Sequence, residues 1–87
     1  MGVGSKTYDG VRVTVYPLDH PPPHVHGFYA EVEVILELDF EKRSIRLARR
    51  RNRIKPPNAK RADVNYIRNA AWKYRQELFD LWEVARG

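Results

Sequence analysis

The chain has 87 residues, enough for one domain with a small core, and 43% hydrophobic and 31% charged residues, as in a globular protein. It has no cysteine, which excludes disulfides, thiolate metal sites and a cysteine nucleophile. No stretch resembles a signal peptide or a run of about 18 apolar residues, so we expect a cytoplasmic protein that does not cross a membrane.

The first part of the chain predicts a leader and one strand. Residues 1–7 are glycine-rich and lack apolar periodicity, which predicts a flexible leader before a single domain over residues 8–87. Val11, Val13 and Val15 alternate with polar residues, as in a half-buried strand. The three consecutive prolines in residues 19–23 then predict a stiff turn, because proline fixes φ and disfavours helix.

The longest alternation covers residues 28–38, where apolar residues share one face and glutamates the other. This pattern predicts one continuous strand, with Phe28 and Ala30 on the same face as Val32. Residues 39–42 would form a hairpin turn, and Ile45 and Leu47 would belong to a shorter third strand.

The C-terminal part predicts a helix. Asp63 is a candidate N-cap, and apolar residues then recur at steps of three and four from Val64 to Ala85. The stripe could pair with another helix in a coiled coil, but about three heptads beside a sheet favour packing within the domain. We therefore expect an α+β fold of order ββ(β)α, a short antiparallel sheet of two to three strands packed on one long C-terminal helix.

The histidines form the first candidate site. All three occur in the segment Asp19-His20-Pro21-Pro22-Pro23-His24-Val25-His26. Asp19 and the three imidazoles could bind a metal such as zinc, or His20, His24 and His26 could act as acid and base. In a third interpretation the rings are structural: they bond backbone at the turn, stack on Tyr16 or Tyr29, and dock the helix through partners such as Glu77. We favour the third, because a histidine cluster without a complete ligand set is weak evidence for a metal.

This segment resembles the signature of a small bacterial family, domain of unknown function 4160. Members of the family typically carry a Leu-Pro or similar pair between the strand and the C-terminal helix, and residues 54–56 could match it. The residues that match the helix are Trp72, Glu77, Leu78 and Trp82. The resemblance covers most of residues 8–85 and implies a compact ββ(β)α domain. Genes of this family are often read as toxin–antitoxin-like, beside a second small protein. The arginine density of residues 43–53 departs from the family's pattern.

The second candidate site is basic. Residues 42–61 contain ten of the 16 lysines and arginines and no acidic residue. The rest of the chain therefore carries more acidic than basic residues, although the net charge of the whole chain is +5. The segment could bind nucleic acid phosphates or an acidic partner protein, or it could be a solvated surface paired partly with Glu31, Glu33 and Glu37. The candidate binding residues are Arg46, Arg49, Arg50, Arg51, Arg53 and Lys55.

These patterns favour a small basic binding module, a toxin–antitoxin-like component that contacts nucleic acid or a cognate protein. One alternative is a metal-independent ribonuclease that uses His20, His24 or His26 as acid and base. Another is a metal-binding regulator. Because the chain has no Walker-type or Gly-x-Gly-x-x-Gly loop, we expect no nucleotide cofactor, and no other cofactor is indicated.

Overall fold

The computed structural model describes residues 4–16 and 21–86. Its strands form one antiparallel sheet in the order β1-β2-β3-β4-β5, and β6 also pairs with β4, on the same edge as β5. The elements are β1 (Gly4–Tyr8), β2 (Val11–Val15), β3 (His24–Tyr29), β4 (Val32–Asp39), β5 (Ser44–Leu47), β6 (Ile54–Lys55), α1 (Arg61–Lys73) and α2 (Arg75–Arg86). The α+β class agrees with the sequence prediction. The expected sheet of two to three strands on one long helix is wrong.

The first correction concerns the strand predicted over residues 28–38, which is in fact a hairpin. Tyr29 pairs with Val32, so Ala30 and Glu31 form a two-residue turn with φ values of 51° and 65°. Positive φ at both turn positions matches the twist of the flanking strands, but asparagine and glycine are the residues that normally adopt it. Phe28 therefore pairs with Glu33 and lies on the face opposite Val32, contrary to the prediction.

The second correction concerns the N-terminus. Residues 4–7, which the composition assigned to a leader, are part of β1, which pairs along its whole length with β2. Asp9 and Gly10 form the connecting turn, with φ values of 51° and 83°. An Asp-Gly pair between two strands is one of the strongest hairpin signals in a sequence.

The third correction concerns the helix, which is divided in two. Tyr74 has φ −106° and ψ 25°, outside the helical range, and separates α1 from α2. The backbone N–H of Leu78 still donates to the carbonyl of Tyr74 at 3.1 Å, so the apolar stripe keeps its direction across the break. The helix also begins earlier than predicted, at Arg61, and Asp63 lies in its first turn rather than at the N-cap.

Both helices cover the same face of the sheet. Helix α1 packs on β3, β4 and β5, and α2 packs on β1, β2 and β3. Gly27 allows α1 to approach closely, since a Cβ atom there would lie 2.7 Å from Cγ2 of Ile67. Neither helix has the length and apolarity needed to cross a membrane.

The opposite face of the sheet carries no helix among residues 4–16 and 21–86, and it holds the polar side chains discussed below. We call it the polar face. Strand register places on it Thr14, His24, His26, Glu33, Ile35 and Glu37.

Candidate nucleic-acid interface

The densest group of arginines lies in a loop that interrupts the edge of the sheet. The loop leaves the edge after β5 and returns at β6. At its start the N–H of Ala48 donates to the carbonyl of Ile35 (3.0 Å), and at its end the N–H of Ile35 donates to the carbonyl of Arg53 (2.8 Å). We call residues 49–53 the basic loop. Both of its ends are thus fixed to one residue of β4.

The side chains of the basic loop are solvent-exposed. They include four guanidinium groups within five residues, those of Arg49, Arg50, Arg51 and Arg53. In the part of the chain that the structure describes, none of these four groups forms an ion pair. Four unneutralised cations this close together create a positive potential that attracts anionic partners.

The other two predicted binding residues are placed differently. Arg46 is half-exposed, but its guanidinium contacts the carboxylate of Glu37, with Nε and an Nη atom each 3.2 Å from Oε1. Lys55 is exposed and pairs in register with Glu33, which puts it on the polar-face side of the edge. The interpretation that glutamates partly neutralise the segment therefore holds for Arg46. It does not hold for the basic loop.

Glu37 connects the two candidate sites. Strand register aligns His24, Glu37 and Arg46 in one row across β3, β4 and β5. The carboxylate is only 8% exposed, and besides Arg46 it accepts a hydrogen bond from the backbone N–H of Arg49 at 3.2 Å. Glu37 therefore holds the first residue of the basic loop against the polar face. Its alternation with Glu33 was visible in the sequence, but its role as an anchor requires the register of three strands.

His24 and His26 lie side by side at the start of β3, on one face as their spacing predicts, with ring centroids 5.2 Å apart. His24 Nδ1–H donates to the carbonyl of Pro22 at 2.8 Å, and the rings of Tyr16 and His26 meet edge to face with their centroids 4.7 Å apart. The structural interpretation expects a backbone bond at the turn and a contact with Tyr16, although it expected the Tyr16 ring to stack. Glu77, its expected helix partner, instead lines a pocket with residues of β1.

His26 also contacts a carboxylate. Its Nδ1 lies 2.8 Å from Oε2 of Glu33, diagonally across the β3–β4 pair. A carboxylate accepts hydrogen bonds, so this contact places a proton on Nδ1 and orients the ring, as in histidines that act as acid or base. His24 and His26 are only 5% and 9% exposed, so a large substrate has restricted access to either imidazole.

The metal hypothesis gains no support from the geometry. Asp19 and His20, two of its four candidate ligands, lie outside the described residues. Among the remainder of the chain for which positions are given, no group of three or more His, Asp or Glu side chains is arranged to hold an ion. Glu33, which the metal hypothesis did not include, is the acidic partner that the structure gives to His26.

Comparison with protein-family models, curated proteins and solved structures finds no match to the chain. Membership of the domain of unknown function 4160 family therefore remains a prediction from the histidine and proline motif.

Proposed function

We propose that the protein binds nucleic acid through its phosphates, with the basic loop as the main contact. The observation that supports this most is the placement of four exposed, unpaired arginines in one loop that is held at both ends by β4. The planar guanidinium group donates hydrogen bonds in pairs to phosphate oxygens, and each neutralised phosphate releases condensed counterions. Because the base of the loop is fixed, less conformational entropy is lost when it binds.

A comparison of charge-matched variants tests this proposal. Arg50→Ala with Arg51→Ala should weaken binding to a short labelled single-stranded RNA by roughly 5–10-fold per arginine at low salt, on the basis of about 1 kcal/mol or more per lost contact. Lys6→Ala with Lys42→Ala removes the same charge from β1 and from the β4–β5 turn, and should have a small effect. Fluorescence anisotropy measures both. If the two double variants lose the same amount of affinity for the RNA, net charge alone, and not the basic loop, drives binding.

The resemblance to domain of unknown function 4160 supports a narrower proposal, that the protein is one component of a toxin–antitoxin-type pair. A second small protein would then control its contact with nucleic acid. Purification from the native host at low salt, followed by identification of what is retained, tests this. We expect a small protein to co-purify, and a preparation that contains nucleic acid alone would contradict the narrower proposal.

A second candidate function is metal-independent cleavage of RNA, which the 2.8 Å contact between His26 and Glu33 favours. His26 would take the proton of the ribose 2′-hydroxyl while Glu33 holds the ring, and the 2′-oxygen would form a bond to the phosphorus. The P–O5′ bond would break as the neighbouring His24 protonates the leaving 5′-oxygen, which leaves a 2′,3′-cyclic phosphate. We rank it second because both imidazoles are nearly buried. Incubation of RNA with the protein in EDTA, with Glu33→Gln as the control, tests it, since intact RNA eliminates this function.

A further inference from the structure

Helix α1 carries a second cationic surface that the sequence pattern did not reveal. Its outer residues recur at steps of four and three, so they share one face of the helix. They are Arg61, Asn65, Arg68 and Trp72, and all four are exposed. Arg75, the first residue of α2, continues the series. Asp63, the acid in the first turn of α1, is two positions from Arg61 and therefore about 200° around the helix from it.

This surface forms one wall of a groove at the edge of the sheet. The groove has a volume of about 420 Å³, and its apolar floor includes Leu47 and Ile54 of the edge strands. Arg61 and Arg68 line it from the helix side, and none of its lining residues within 4–16 and 21–86 is acidic. The basic loop begins two residues after Leu47 and ends directly before Ile54, so its two ends adjoin residues that line the groove. The groove is therefore lined by positive charge along α1, and the basic loop lies next to its sheet side.

Trp72 stands at the far end of this surface. It is 49% exposed and does not belong to the hydrophobic core. The guanidinium of Arg75 lies 4.0 Å from the centre of its ring and also donates to its backbone carbonyl at 2.9 Å, which holds the indole in place. An exposed, fixed aromatic ring beside arginines is the arrangement with which proteins stack the bases of single strands.

We infer that a single-stranded nucleic acid lies along this groove, with its phosphates held by Arg61, Arg68 and the basic loop and one base stacked on Trp72. The inference rests on the proposed function and extends it, since it selects single strands over duplexes and adds a base contact to the phosphate contacts. From Arg61 to Trp72 the helix rises about 17 Å, which accommodates at most about five nucleotides at a spacing of about 3.4 Å.

Two probes separate base stacking from phosphate binding. An oligouridylate has bases and phosphates, whereas inorganic polyphosphate has the negative charge alone. The oligouridylate should quench tryptophan fluorescence, and Trp72→Phe should remove most of the quenching although Trp82 remains. Trp72→Ala should weaken binding of the oligouridylate by at least about fivefold and leave polyphosphate binding within about twofold. Arg61→Ala with Arg68→Ala should weaken both, beyond the effect of Lys6→Ala with Lys42→Ala.

If Trp72→Ala leaves the affinity for the oligouridylate unchanged, a single strand does not bind along the groove as inferred. The same conclusion follows if Trp72→Ala lowers the affinities for the oligouridylate and for polyphosphate equally. If Arg50→Ala with Arg51→Ala weakens binding as predicted in that case, the proposed function stands without binding along the groove. If the wild-type protein binds neither probe, both the proposed function and the inference about the groove are wrong. If the protein binds polyglutamate more tightly than the oligouridylate, both proposals are wrong and an acidic protein is the favoured partner. Because Trp72 is exposed, thermal unfolding of its variants should match that of the wild type, which confirms that they are folded.

Discussion

Gly27 lies where β3 packs closely against α1, and Gly27→Ala should destabilise the fold. Gly27 pairs with Val13 on one side and Val34 on the other, in the middle of the sheet. An added Cβ atom would lie 2.7 Å from Cγ2 of Ile67, well inside the contact distance of about 3.5–4.0 Å. Ile67 is 0% exposed, so its methyl group cannot move into solvent.

The size of the effect follows from two opposing contributions. Overpacking a core costs about 1–3 kcal/mol, and replacing glycine by alanine in a strand recovers about 0.5–1 kcal/mol of backbone entropy. Because the 2.7 Å contact is with a fully buried side chain, we take the overpacking cost from the upper part of its range, about 2–3 kcal/mol, and expect Gly27→Ala to lower the free energy of unfolding by about 1–2.5 kcal/mol. For a domain of this size, each kcal/mol lowers the melting temperature by about 4–8 °C. Urea unfolding measures the free energy of unfolding. The slope of this free energy against urea concentration should be the same in the variant and the wild type.

A second substitution isolates the clash. Ile67→Leu removes the branching methyl group but conserves volume, so alone it should cost less than about 1.5 kcal/mol. Combined with Gly27→Ala it should cost less than the sum of the two single changes, because the methyl group that clashes is gone. Ile67→Leu should not rescue Gly10→Ala, whose cost arises from a φ of 83°. This account of the packing is wrong if the destabilisation of the double variant equals the sum of those of Gly27→Ala and Ile67→Leu. It is also wrong if the Gly27→Ala protein is as stable as the wild type.

Two further predictions concern turns. Ala30→Asn with Glu31→Gly should stabilise the protein by about 1–2 kcal/mol in urea unfolding, because both positions have positive φ. Asp9 accepts hydrogen bonds from Lys73 (3.1 Å) and Tyr74 (2.9 Å), and these hold the pKa of its carboxyl group below the ordinary 3.8. The resulting stabilisation is complete above pH 3.8 and declines as pH falls through the lowered pKa. Asp9→Asn should therefore be less stable than the wild type at neutral pH, and the gap should narrow below pH 3.8.

Each of these predictions has a contrary outcome. An Ala30→Asn, Glu31→Gly protein no more stable than the wild type would mean that the turn does not have positive φ at both positions. A stability gap between the Asp9→Asn and wild-type proteins that stays constant from neutral pH to pH 2 would mean that the carboxylate makes no such contacts in the folded state.

The parts of the fold that sequence periodicity predicted are those with one buried face. Val11, Val13 and Val15 alternate because their strand packs on the helices. β1 was missed because it is an edge strand with mostly exposed residues, although the Asp9-Gly10 turn signal was present. The hairpin at Ala30 and Glu31 could not be predicted from the sequence, since neither residue favours positive φ and the alternation of apolar and polar residues continues through both positions.

The division of the helix had no sequence signal either. Tyr74 is neither proline nor glycine, and the apolar stripe passes through it without a shift. Its hydroxyl donates to Asp9 and its ring lies 5.1 Å from that of Tyr8, so tertiary contacts with the β1–β2 hairpin accompany the break. Such contacts are invisible in a local pattern, and they override the helical propensity that the pattern reports.

The candidate site was predictable in its residues but not in its arrangement. The basic segment and the paired histidines follow from composition and from the two-residue period of a strand. Their connection through Glu37 depends on the register of β3, β4 and β5. The groove lined by Arg61 and Arg68 depends on where α1 crosses the sheet edge. Both are consequences of long-range pairing, which no local pattern specifies.

The salt dependence of RNA binding tests the central claim most directly. If the four arginines of the basic loop each neutralise one phosphate of a single strand, they contribute about −2.8 to the slope of the logarithm of the association constant against the logarithm of the KCl concentration, or roughly 50-fold in affinity between about 50 and 200 mM. Arg61 and Arg68 would make the total slope steeper. Arg50→Ala with Arg51→Ala should make the slope shallower by about 1.4, and Lys6→Ala with Lys42→Ala should leave it near that of the wild type. A slope near zero, or the same slope in all three proteins, would contradict the claim.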